Sequence, residues 1–326
     1  GGLKKFGEKG DFITSPEVSP LFGQCLANQL SEILANFKKI NNNKSYVIEF
    51  GAGSGVLAVD ILLRLELLDF LPEKYFILEL SAELKQRQKE TIKEKAPHLL
   101  TRVQWLNYMP EKLTNAVVVA NEVLDAMPVE CFRVAENKIE TLMVAMEDDR
   151  LVSHYAPATE EIISKVSTIQ QRSEITLPTG YCSEYNPAIS AWLASMASGA
   201  ENLVILLIDY GYNEQEYYHS DRDHGTLMCY YRHRAHDDFF WWPGLQDITA
   251  FVDFTDVAYS AVDLEMDVSG YTTQAAFLLS NGLAELHESQ VTDDIKQQIA
   301  LSQQIKTLSL PSEMGDKFKV MALTKN

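Results

Sequence analysis

The chain has 326 residues, 46% of them hydrophobic and 23% charged, which suits one large domain with insertions or two ordinary ones around a packed core. A formal net charge of −18 argues against nucleic acid as the main partner and would attract a basic protein segment, although solubility alone also accounts for it. No apolar run approaches the roughly 20 residues of a membrane span, and four cysteines without a C-x-x-C pair and seven histidines without H-x-x-x-H spacing point away from disulfides and metal, toward a reducing compartment.

Along the chain, Gly10–Glu17 is rich in turn and cap residues, and Ser19-Pro20 reads as an N-cap with proline at the first helical position. Phe22, Leu26, Leu30, Ile33 and Phe37 then mark an amphipathic helix. Residues 1–43 are therefore expected as an N-terminal helical segment ahead of a main domain over 44–326. In that domain strand and helix alternate: Tyr46–Phe50 strand, Val56–Leu68 helix, Tyr75–Leu80 strand, Ala82–Lys95 helix, then strands Val103–Leu106 and Val117–Ala120. Strands spaced by helices imply right-handed crossovers and a mostly parallel sheet. Insertions are expected at about 132–180 and 212–250. The first carries β-hairpin segments (Cys131–Ala135, Thr141–Ala145, Leu151–Tyr155), and the second carries Trp241-Trp242-Pro243 and many charges. Between and after them the pattern predicts a helix over Pro187–Ser198 and a very apolar strand at Leu203–Ile208. There follow a helix at Phe254–Val262, a strand at Leu264–Val268, helices at Thr273–Leu279 and Asp293–Thr307, and a last strand at Phe318–Leu323.

Three stretches carry chemistry. The first strand runs into Glu49-Phe50-Gly51-Ala52-Gly53-Ser54-Gly55 and then a helix. Alternate glycines let the backbone turn sharply and approach a ligand, and the helix N-terminus offers N–H groups to an anion. Dinucleotide enzymes favour G-x-G-x-x-G, with the third glycine one residue later. No lysine follows, so a Walker-type phosphate loop is excluded. An acidic residue before G-x-G-x-G is the spacing methyltransferases use for S-adenosylmethionine; a tight strand–helix turn of no further meaning is the bland alternative. Glu49, Gly51, Ala52, Gly53 and Gly55 are the candidate cofactor residues here. Glu79 closes the second strand, roughly twenty residues on, where a carboxylate can accept two ribose hydroxyls; otherwise it is a solvated residue before a helix that Ser81 caps. The fourth strand ends in Asn121-Glu122-Val123-Leu124-Asp125. Ligands of such sheets sit outside the carboxyl ends of the strands, so Asn121 joins the cofactor candidates, and capping of the next turn is the competing role.

Together these stretches resemble the MidA-like family of methyltransferases, whose mitochondrial member is an arginine methyltransferase needed for respiratory complex I assembly. The resemblance spans nearly the whole chain and includes the motif Gly10–Glu17, Asp209-Tyr210-Gly211, Gly225-Thr226-Leu227, Tyr231-Arg232-His233-Arg234, Gly244–Thr249, Val252-Asp253-Phe254 and Gly315–Val320. It implies a Rossmann-like class I α/β fold: a seven-stranded, mostly parallel sheet with helices on both faces and inserted lobes. It also implies S-adenosyl-L-methionine as cofactor, and a cytoplasmic or, in a eukaryote, mitochondrial-matrix location. Phe251 stands where the family suggests a histidine, and Asn107 where an acidic residue would touch adenine.

By this resemblance the methyl acceptor is an arginine in a basic segment of a protein, with no nucleic acid or membrane insertion involved and a homodimer left open. Carboxylates would hold the guanidinium bidentately and take its proton. Glu122 and Asp125 are the first candidates, Asp247 and Asp253 the second pair. His233 is either a proton acceptor or a surface residue. Methylation of a small molecule, or a cofactor-binding assembly chaperone without turnover, are the rival readings.

Overall fold

The computed structural model describes residues 14–41, 44–232 and 234–325. In chain order the elements are α1 (Ser15–Val18), α2 (Pro20–Asn41), β1 (Ser45–Phe50), α3 (Val56–Leu67), β2 (Lys74–Leu78), α4 (Ala82–Lys95), β3 (Val103–Leu106) and β4 (Leu113–Asn121). Then come β5 (Glu130–Ala135), β6 (Lys138–Glu147), β7 (Arg150–Pro157), α5 (Glu160–Arg172), β8 (Cys182–Tyr185), α6 (Ile189–Ala197) and β9 (Ala200–Tyr212). The rest are α7 (Glu214–Tyr217), β10 (Met228–Tyr231), β11 (Arg234–His236), β12 (Asp247–Thr249), β13 (Val252–Asp253), α8 (Phe254–Asp263), β14 (Asp267–Thr273), α9 (Gln274–Ser280), α10 (Leu283–Glu288), α11 (Ile295–Ser309) and β15 (Phe318–Lys325). Among the described residues no helix is long and apolar enough to cross a membrane.

Two compact units divide the chain. The first takes in the chain up to Val123, Leu193–Tyr210 and everything from Ala261. Seven strands lie in it in the order β14-β15-β9-β4-β1-β2-β3. β3, β2, β1, β4 and β9 are mutually parallel, and β15 runs antiparallel between β9 and β14. The central strands are buried on both faces and read as apolar runs: Val117, Val118 and Val119 are wholly inaccessible, as expected of a covered parallel sheet. α2 and α3 pack together within this unit. From β1 the chain proceeds outward to β2 and β3, then returns to place β4 on the other side of β1. Right-handed crossovers then put the two sets of helices on opposite faces and leave a crevice beyond the carboxyl ends of β1 and β4.

The second unit comprises Leu124–Trp192 and Gly211–Ser260. Its antiparallel sheet has the order β7-β6-β5-β8, and a small sheet β11-β10-β12 accompanies it. Thr159 caps α5 by accepting from the Ile162 N–H. The helix lays Ile162, Val166 and Ile169, one helical face by spacing, on a core of Phe132, Leu177, Tyr181, Tyr185, Tyr217 and Tyr218. Val252 and Asp253 pair with Gly211 and Tyr212, the tail of β9. A Cβ on Gly211 would lie 2.1 Å from the Val252 carbonyl oxygen, so only glycine permits this pairing.

One expected strand is misplaced. Of Leu264–Val268 only Asp267 and Val268 are strand: the chain turns at Leu264 and Glu265, the latter at φ 59°, and β14 starts at Asp267. β14 is an edge strand whose first five residues are exposed. It lacks the apolar signature that drew the expectation toward Leu264 and Met266.

Candidate active site

The glycine turn sits at the carboxyl end of β1, beside the end of β4. Gly51, Gly53 and Gly55 have φ of 62°, 51° and 84°, all left-handed, a conformation that costs other residues about 1–2 kcal/mol each. Gly51 and Gly55 have, besides, different packing reasons to be glycine. A Cβ on Gly51 would meet Val123 Cγ2 at 3.3 Å, and one on Gly55 would stand 3.0 Å from Gln88 Cα. Gly55 thus lets α4 pack against the start of α3. Ala52 is buried. No side chain caps the first turn of α3, which leaves its amides to face an anionic group.

Gln88 was not singled out by the sequence, yet it organises the turn. Fully buried on α4, it donates from Nε2 to the Gly53 carbonyl (3.2 Å) and to Glu79 Oε2 (3.1 Å), while Oε1 accepts from Trp105 Nε1 (2.9 Å). Glu79 follows β2, which stops at Leu78, and its Oε1 accepts from the Ser81 N–H at 2.9 Å. Ser81 also caps α4 by accepting from the Leu84 N–H. The Glu79 carboxylate is therefore pinned by two donors and aimed by them, because an ionised carboxylate accommodates about four. Glu49 is different: wholly buried on β1, it accepts from the Tyr75 hydroxyl at 2.8 Å, and burial pushes its carboxyl up to about 7. Asn107 accepts from Lys85 Nζ at the surface.

At the end of β4, Asn121 is buried; its Nδ2 donates to Glu122 Oε1 (3.1 Å) and its Oδ1 has no protein partner. A buried amide oxygen without a donor costs roughly 1–3 kcal/mol, and it suits a ligand bringing an N–H or ammonium. Glu122 has φ 53°, a strained value for a non-glycine residue of the kind that clusters at functional sites. The turn is held by the Glu122 N–H donating to the Ile208 carbonyl (2.8 Å) and the Val123 N–H donating to Asp209 Oδ2 (3.2 Å). Asp209, buried at the end of β9, is a further residue that the sequence reading placed only within a family motif. The segment before α2 reaches the same place. The Ser15 N–H donates to Glu122 Oε1 at 3.3 Å, and Ser54 Oγ of the glycine turn donates to Glu17 Oε1. Gly10–Ile13, the start of that motif, lies outside the described residues.

Glu49, Gly51, Ala52, Gly53, Gly55, Glu79, Asn121 and Glu122 all belong to the first unit, at or next to the carboxyl ends of β1, β2 and β4. Asp125, Asp247 and Asp253 belong to the second unit. Asp125 is buried and accepts through its backbone carbonyl from the Ala250 N–H (3.0 Å). Asp247 lies half-buried on β12, opposite Tyr230. Asp253 caps α8, and Phe251 packs on Tyr212 at 5.6 Å. His233 lies outside the described residues.

This geometry is a left-handed glycine turn at a switch point, a pinned carboxylate after β2 and an unsatisfied amide after β4. A family model of S-adenosyl-L-methionine-dependent methyltransferases, Methyltransf_28, matches residues 25–272. The chain belongs to this family. A crystal structure of a COG1565 superfamily member from Burkholderia thailandensis, bound to S-adenosyl-homocysteine, is 38% identical with a TM-score of 0.90, over 100% of this chain and 82% of that one. Among curated proteins, the mitochondrial protein arginine methyltransferase NDUFAF7 homologue of Drosophila melanogaster is 27% identical over 98% of this chain and 76% of its own length. The human NDUFAF7 is 27% identical over 97% and 74%.

The chain is thus an S-adenosyl-L-methionine-dependent methyltransferase, and its residues fit that cofactor. The uncapped amides of α3 suit its carboxylate, Asn121 Oδ1 suits its ammonium, and Glu79 suits its ribose hydroxyls. Replacing Glu79 with Ala is expected to weaken S-adenosylhomocysteine binding by about 2–3 kcal/mol, the loss of charge-assisted hydrogen bonds to two hydroxyls. Calorimetry checks this, and an unchanged dissociation constant would reduce Glu79 to a helix-flanking residue.

Proposed function

We propose that this methyltransferase acts on an arginine side chain within a basic segment of a protein. The observation that carries the reading is Glu122, a carboxylate fixed in left-handed backbone at the carboxyl end of β4. S-adenosyl-L-methionine, when bound, supplies an electrophilic sulfonium methyl. The chain's own residues must then present and deprotonate a nucleophile. A guanidinium is charged at any working pH, so its nitrogen becomes nucleophilic only when the charge is drawn to the far side of the group. Glu122 can do this as a hydrogen-bonded carboxylate and accept the proton released as the new bond forms. Asn121 Nδ2 and the Ser15 N–H hold its Oε1 in place, so the group does not have to reorganise during the reaction. The names of the curated relatives, protein arginine methyltransferases at 26–27% identity, favour the same acceptor. Their mitochondrial location favours the matrix for a eukaryotic chain, and a reducing compartment accords with four free cysteines.

The net charge of −18 adds long-range attraction for a basic protein, screened over a Debye length of about 10 Å at 0.1 M salt. With methyl-labelled cofactor and a cell lysate, label is expected in the protein fraction, with a rate that falls as salt rises. Label confined to small metabolites would replace this reading with small-molecule methylation. No transfer at all, with cofactor bound, would leave an assembly role without turnover.

A further inference from the structure

The second unit contains a cluster of charges that the methyl-transfer reading leaves unused. Arg172 on α5 grips Glu214 through Nε and Nη2 and reaches Asp256 Oδ1 at 3.2 Å. Lys165 also pairs with Asp256, and Ser173 Oγ donates to Glu214. Glu214 and Asp256 are therefore neutralised by two cations. Asp253 is not. Its Oδ1 accepts from the Thr255 and Asp256 N–H groups (3.0 and 3.2 Å) as the cap of α8. Its Oδ2 has no partner, although the residue is only 8% exposed. One oxygen suffices to cap a helix, so the cap does not account for the second.

That residue lines a depression walled by Tyr185, Tyr217, Tyr218 and Phe251, with Asp256 beside it. With its open mouth the depression spans about 340 Å³. The enclosed part has room for a body about the size of one water molecule. Two of the ring hydroxyls are engaged elsewhere: that of Tyr217 donates to Glu184 Oε1 and that of Tyr218 to the Glu184 carbonyl. Burial, together with the charges of Glu214 and Asp256, pushes the Asp253 carboxyl up to about 8. A group raised in this way is one that an arriving cation converts to the charged form.

We propose that this pocket receives a primary alkylammonium, the side-chain head of a lysine in the basic segment of the substrate protein, between Asp253 Oδ2 and the aromatic wall. An ammonium matches the space as a compact point charge, whereas a planar guanidinium does not. Aromatic faces around a carboxylate are the surroundings that favour an alkylammonium. Only the source of the lysine rests on the proposed protein substrate; the pocket itself stands on its own geometry.

The probe is n-butylammonium, with n-pentanol as a neutral counterpart, titrated calorimetrically into the full chain. The wild-type protein is expected to bind n-butylammonium in the millimolar range and n-pentanol at least tenfold more weakly. Asp253→Asn, which keeps the helix cap, should lose at least tenfold for the ammonium, with affinity for S-adenosylhomocysteine within twofold of wild type. Phe251→Leu, which leaves the carboxylate in place, should weaken the ammonium about threefold. Equal binding of n-butylammonium by wild type and Asp253→Asn, or no preference over n-pentanol, would overturn the proposal and leave Oδ2 to a buried water. Asp253-dependent ammonium binding in a protein that methylates only small molecules would uphold the pocket and overturn the protein substrate.

Discussion

Replacing Glu122 with Gln is expected to cut methyl transfer by about 10²-fold or more while leaving S-adenosylhomocysteine affinity within about threefold of wild type. Gln keeps the size of the side chain and an oxygen able to accept from Asn121 Nδ2 and the Ser15 N–H, the two donors on Glu122 Oε1. It also tolerates left-handed backbone no better and no worse than Glu, so the strained turn at φ 53° should survive. What disappears is the negative charge. Without it the guanidinium charge is not drawn away from the attacking nitrogen, and no acceptor stands ready for the proton. Groups of this kind contribute about 10²–10⁴-fold each. Single-turnover kinetics separates the transfer step from binding. A mutant that binds normally and transfers at the wild-type rate would make Glu122 a turn residue only.

The second large effect belongs to the cofactor. Wild type is expected to bind S-adenosylhomocysteine with micromolar affinity, about −8 kcal/mol, and Gly53→Val to weaken it at least 10²-fold. Gly53 sits at φ 51°, where a β-branched residue is a genuine outlier. The turn cannot relax to relieve it, because the Gly53 carbonyl is held by buried Gln88 and the next residue but one is packed against the Gln88 backbone. Either the side chain fills the space the cofactor approaches or the turn deforms and misdirects the α3 amides. Both outcomes lose the ligand. Calorimetry with S-adenosylhomocysteine, and NADH as a control dinucleotide, reads this directly. Tight NADH binding with none for the methyl-donor product would contradict the cofactor assignment.

The parallel sheet was legible in the sequence because its strands are buried and apolar and the turn after β1 carries Gly51, Gly53 and Gly55; Val103–Leu106 has the bounds that the sequence predicts. β14 was not, since an exposed edge strand has no apolar run to reveal it. The site divides in the same way. Gly51, Glu79, Asn121 and Glu122 stand at strand ends next to local signals. Gln88 lies in a helix of mostly polar residues, where glutamine is ordinarily exposed, and nothing along the chain announces its hydrogen bonds to Gly53, Glu79 and Trp105. Asp209 and Ser15 reach the β4 turn across long stretches of chain, and periodicity reports one element at a time. The contact between Glu17 and Ser54 belongs to this group as well: the family motif marks Glu17, but only the folded chain brings it to the glycine turn.

The most direct test of arginine methylation is amino-acid analysis of protein labelled by this chain. Purified enzyme, methyl-labelled cofactor and lysate proteins would be incubated, and the protein fraction hydrolysed and separated. Label is predicted in methylarginine, with wild-type enzyme and not with Gly53→Val. Label in methyllysine, or in no amino acid at all, would contradict the account.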